Sequence, residues 1–160
     1  MSHKWNKTVI NLAAVGALIF TVNACTKQQA VHEDPKHRLT EYISKSFAIN
    51  SVGERDQLAS FMTGEAKSRL VAWSDEQFRQ AFIDSKRQFL KLAFTEIKNV
   101  SPEQVNITYE LTYIDPTKGH ETKVTNKKLC ELSEEQGQWF ISDVHNIKEL
   151  IEYTNEMSLP

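Results

Sequence analysis

The chain has 160 residues, 40% of them hydrophobic and 25% charged, enough apolar content for one domain with a real core. Its 19 basic residues stand against 21 acidic ones, for a formal charge of −2. No segment is strongly basic, which excludes nucleic acid as an expected partner.

The first residues, MSHKWNKT, are polar and carry Lys4 and Lys7. A largely apolar run follows from Val9 to Val22, interrupted by Asn11. That run suits the core of a signal peptide and is short for a membrane span. It leads into Val22-Asn23-Ala24-Cys25, where a plain secretory signal would end in a small-residue cleavage site without cysteine. This segment resembles the lipobox of bacterial lipoproteins, although Asn23 is less usual there and Val22 stands where Leu is commonest. The resemblance implies that residues 1–24 are removed and that Cys25 carries the lipid. It also implies a membrane as partner. One acyl chain holds a protein only marginally, and two or three make a stable tether. Thr26 follows the cysteine where an Asp tends to retain such proteins at the inner membrane. The resemblance therefore favours the outer membrane, facing the periplasm. Loss of Lys4 and Lys7 makes the remaining chain more acidic still.

Residues 26–33, TKQQAVHE, lack periodicity, so 25–34 reads as a flexible tether and 35–153 as one domain, with 154–160 a tail. Asp34-Pro35 combines an N-cap with proline at the first helical position. The helix it opens carries Leu39, Tyr42, Ile43 and Phe47 on one face. Ser51 and Glu54 form a candidate capping box before a short helix over 56–63, which Gly64 ends. Residues 65–73 give another helical turn or two. Ser74 and Gln77 make a second box, and Phe78, Ala81, Phe82 and Ser85 share the next helical face.

The period then changes. Residues 88–98 suit a strand with Leu90, Leu92 and Phe94 on one face, and 99–104 is a turn around Ser101-Pro102. Val105, Ile107, Tyr109, Leu111 and Tyr113 alternate with polar residues, the signature of a half-buried antiparallel strand. A loop over 115–119, a strand over 120–132, a turn over 133–137 and a strand over 138–144 follow. Asn146 reads as the cap of a short final helix with Ile147, Leu150 and Ile151 inward. The expected class is α+β, with N-terminal helices packed on a curved four-stranded antiparallel sheet.

Val105-Ile107-Tyr109, the charged strand Lys123–Leu132, Gly137 and Trp139-Ile141 resemble the closing hairpins of the nuclear-transport-factor-2-like, or cystatin-like, superfamily. The resemblance extends over roughly 35–150, and more narrowly it is to small exported bacterial lipoproteins. It implies a cone-shaped pocket between helices and sheet. Here the candidate walls are Tyr42, Phe78, Phe82, Tyr109 and Trp139, suited to a small apolar ligand. Enzymes of the superfamily place an Asp or a His–Asp pair in that pocket. The candidate pair is Asp143 and His145, two apart on a strand, which could exchange a proton if enclosed and are otherwise ordinary residues near the sheet end. The superfamily also includes scaffolds, immunity proteins and simple binding modules, so the fold does not decide the activity.

Other chemistry is sparse. His32 and His37 lack metal-ligand spacing, and there is no phosphate loop or nucleophile elbow, so no metal or cofactor is expected. With Cys25 lipidated, Cys130 has no partner for an intramolecular disulfide and reads as a buried thiol. The best expectation is a non-enzymatic, membrane-tethered binding or assembly module. The rivals are an immunity or inhibitor protein and a small isomerase- or hydrolase-type enzyme.

Overall fold

Asp34 is the N-cap of the first helix, its Oδ1 accepting from the Lys36 amide at 3.0 Å. A computed structural model describes residues 34–153. The expected leader, Cys25, the expected tether up to Glu33 and the expected tail lie outside the described residues. Helix α1 (Pro35–Phe47) buries Leu39 and Ile43. After a 3-10 turn (Val52–Glu54) come α2 (Arg55–Ala59), α3 (Gly64–Ala72) and α4 (Asp75–Arg79), the last running on as a π-turn over Gln80–Asp84. Both expected boxes have their reciprocal bonds at the glutamate or glutamine. Glu54 Oε2 accepts from the amides of Asn50 and Ser51 at 2.8 and 3.1 Å. Gln77 Oε1 accepts from Ser74 N at 2.8 Å, and Ser74 Oγ from Gln77 N at 3.2 Å.

Four strands follow: β1 (Gln88–Ser101), β2 (Gln104–Ile114), β3 (Lys123–Glu135) and β4 (Gln138–Glu152). They form an antiparallel sheet in the order β1-β2-β3-β4, not closed into a barrel. The architecture is α+β, helices first and sheet second. Odd residues of β2 and even residues of β3 face the helices. Ile107, Tyr109, Val124, Cys130 and Leu132 meet Leu39, Ile43, Leu58 and Phe78 there in one core. Full burial of a side chain such as Phe78 contributes roughly 1.5–3 kcal/mol.

Four local expectations are corrected. The second helix ends at Ala59, and the chain from Phe61 to Thr63 runs beside β4 instead. Ile141 N donates to Phe61 O and Thr63 N to Ile141 O, both at 2.9 Å, so the segment satisfies backbone groups on the edge of β4. Gly64 does not only end that segment. Its φ of +53° turns the chain into α3 beside Ser142. Leu90 leaves the face shared by Leu92 and Phe94, because the register shifts between Phe89 and Lys91 and leaves Leu90 half exposed.

The fourth correction is the largest. The segment from Asn146 is strand and continues β4 to Glu152, paired with Lys123 on β3. Lys127 pairs with Lys148 and Lys128 with Asn146, so Ile147 is an extra residue in the ladder. A bulge there breaks the period of two and leaves Ile147, Leu150 and Ile151 at a spacing that imitates a helix. Without this extension the backbone of β3 from Lys123 to Lys128 would have no partner on that side. Among the described residues no helix is long and apolar enough to cross a membrane.

Candidate functional site

A cavity of about 630 Å³ lies between the helices and the helix-facing side of β2–β4. Tyr42 on α1, Phe82 on the π-turn and Tyr109 on β2 line it. Phe78 and Trp139 do not. Phe78 is fully buried one layer below, 4.9 Å from the Phe82 ring and under the Arg55 guanidinium at 5.0 Å. Trp139 is buried at the other end of the sheet, in a shallow groove with Pro35 and Val105. The aromatic wall is completed by Phe47, Trp73 and Tyr113. Burial pushes the phenols of Tyr42 and Tyr109 well up from their ordinary values.

The polar lining was not among the candidates. Arg69, Lys86, Arg87 and Lys128 all border the cavity, with Asn126 and Asn146, and among the described residues no Asp, Glu or His joins them. Arg87 donates to Ala81 O at 2.8 Å and lies 3.8 Å from buried Asp115, which is outside the lining. Lys128 is paired across the ladders with Tyr109 on β2 and Asn146 on β4. Burial lowers its ammonium pKa, and nearby Arg87 lowers it further. Asn126 donates through Nδ2 to Tyr113 Oη at 3.0 Å, while its buried Oδ1 has no partner among the described residues. A sequence signal for this cluster does exist. Lys128 and Asn126 fall in phase with Val124, Cys130 and Leu132, so strict alternation on β3 already places them inward.

Asp143 and His145 are brought together, with Oδ2 and Nε2 3.0 Å apart, but neither is part of the cavity's lining. Asp143 pairs with Glu131 and the next pair is Leu132 with Ile141, so Ser142 is a bulged residue. The bulge inverts the phase of β4. Val144 and Asn146 line the cavity, and Asp143 and His145 take the other phase. Asp143 also accepts from Arg69 of α3 and from the Val144 amide. The Arg69 hydrogen bond is the main reason its carboxyl is held below the usual range. His145 is half exposed and 3.6 Å from Glu131. This is an ion cluster fastening α3 to the sheet.

Cys130 lies fully buried on β3, and burial pushes its thiol far up. Among the described residues no group of three or more His, Cys, Asp or Glu stands where it could hold a metal ion. Compared with known proteins, the chain matches no family model. No curated protein matches it.

Proposed function

We propose that the chain is a lipid-anchored bacterial envelope lipoprotein whose single, nuclear-transport-factor-2-like domain is a non-enzymatic binding module. Its ligand site is the cavity between helices and sheet. The anchor reading rests on the leader, the small residue at Ala24 and the cysteine behind it. Thr26 in place of Asp favours the outer membrane, facing the periplasm. Helices followed by a four-stranded antiparallel meander is the element order that the superfamily reading requires.

One observation carries the binding reading: among the described residues, the 630 Å³ cavity is walled by aromatic and cationic side chains and by no carboxylate or imidazole. Its size falls in the range of small-molecule sites. An enzyme of the isomerase or hydrolase type would need Asp143 and His145 within reach of a ligand there. Both lie outside the lining, and Asp143 is committed to Arg69.

The test is ligand-observed NMR on the full chain in neutral detergent micelles, with a set of small aromatic amphiphiles and micelle-only blanks. Ser46 lines the cavity from α1, so Ser46→Trp should intrude on it and weaken the binding seen with the wild type. Binding that survives Ser46→Trp unchanged, or no binding by the wild type, would overturn the assignment of the cavity.

A further inference from the structure

We infer that the cavity selects an organic anion: a carboxylate, or an equivalent acid, on an aromatic or aliphatic body. The inference rests on the reading of the cavity as a ligand site and names the class of ligand.

The charge count in the lining is one-sided. Among the described residues four cations border the cavity and no acid does. Two of the four are answered from outside it, Arg69 by Asp143 and Arg87 by Asp115. Lys86 and Lys128 have no such partner among the described residues. Lys86 is exposed at the rim, whereas Lys128 is partly buried on the helix-facing side of the sheet. Its ammonium makes no hydrogen bond or ion pair with any described residue. The acid that most raises its pKa, Glu149, is already bonded to Lys118 Nζ at 2.9 Å.

Taking an ammonium out of water without a partner is costly, and the cost is recovered when an anion arrives. A position needed only for packing would be served better by an apolar side chain, as at Val124 and Cys130 on the same strand face. Lys128 therefore has the features of a head-group anchor: low hydration, a fixed backbone position in the middle of the sheet, and three donors.

The neighbours fit the same ligand. Asn126 precedes Lys128 on the same face, and its buried amide oxygen has no partner among the described residues. A half-turn of that amide lets Tyr113 Oη donate to Oδ1 and frees the NH2 to donate to an anion. Tyr42, Phe82, Trp73 and Leu111 supply apolar surface for the body. One cationic anchor with a few placed polar groups in a mostly aromatic cavity is the arrangement that orients an amphipathic acid.

The experiment compares three probes with one body and three heads: 2-naphthoate, 2-naphthamide and 2-naphthylmethylammonium. Affinities are measured by calorimetry on the full chain in neutral micelles, each against micelles alone. The carboxylate should bind roughly ten- to a hundredfold more tightly than the amide, the scale of one charge-assisted hydrogen bond. The ammonium should bind most weakly. Lys128→Met should remove most of the carboxylate's advantage over the amide. The wild-type comparison of heads needs no variant, so it stands even where Lys128→Met folds poorly. Equal affinity for carboxylate and amide, or preference for the ammonium, would overturn the anion selectivity while leaving the cavity a ligand site. If all three probes fail to bind, the ligand-site reading fails and the anion inference with it.

Discussion

Asp143 Oδ2 lies 3.0 Å from His145 Nε2, while Asp143 Oδ1 is shared by Arg69 of α3 and the Val144 amide. The Arg69 bond works between elements, joining the third helix to an edge strand, and His145 flanks it from the same strand. Asp143→Asn should destabilise the domain by roughly 0.5–1 kcal/mol, the range for a partly exposed pair. His145→Ala should cost less, because His145 is half exposed and the Arg69 bond remains. Urea unfolding measures both. A larger loss for His145→Ala than for Asp143→Asn would show that the histidine is the structural member.

Acid should weaken the fold through two carboxylates. Glu54 bonds Lys45 Nζ at 2.8 Å as well as two backbone amides, and these contacts lower its pKa from 4.5 to about 2. Asp143 is lowered in the same direction, first by Arg69. A carboxyl whose folded pKa is depressed contributes fully above its unfolded value and loses that contribution as pH falls through the folded one. For Glu54 the window runs from pH 4.5 down to about 2. Thermal unfolding across it should show a fall in midpoint that is smaller in Glu54→Gln. Identical slopes for variant and wild type would remove Glu54 from the account.

Trp139 is 5% exposed and packs at the end of the core away from the cavity. Trp139→Ala should cost roughly 3–5 kcal/mol, the usual penalty for emptying such a site. A loss below about 1 kcal/mol in urea would contradict its burial.

Cys130 should be inert in the folded protein. It is fully buried, and its thiol is pushed well above the ordinary range by desolvation, so little thiolate is present. A maleimide should label it only as fast as the domain opens, and quickly in denaturant. Equal labelling rates in native and unfolded protein would disprove that burial.

The large-scale order of the fold was legible because local signals were strong. Asp34-Pro35, the pairs Ser51–Glu54 and Ser74–Gln77, and the alternation from Val105 to Tyr113 each mark a boundary or a face by themselves. The bulges at Leu90, Ser142 and Ile147 were not legible, since an extra residue in a ladder is set by the partner strand and leaves no local mark. Those shifts account for the misplaced faces. They expose Leu90, turn Asp143 and His145 out of the cavity, and make the end of β4 look helical.

The cavity was legible only by half. The pocket implied by the superfamily resemblance led to Tyr42, Phe82 and Tyr109, but also to Phe78 and Trp139, which pack elsewhere. Depth within a core depends on how layers stack, and periodicity gives only the face. Lys128 could have been found from its phase on β3. It was hidden because a charged residue in a strand is ordinarily taken as solvent-facing.

The central claim is that a binding domain is held at a membrane through Cys25. Intact mass of the N-terminal peptide from the membrane-extracted protein tests it most directly. The account predicts a chain that begins at Cys25 and carries acyl groups, and an unprocessed, unacylated precursor for Cys25→Ser. An unmodified Cys25 in the wild type, or a mature chain that begins at another residue, would contradict it.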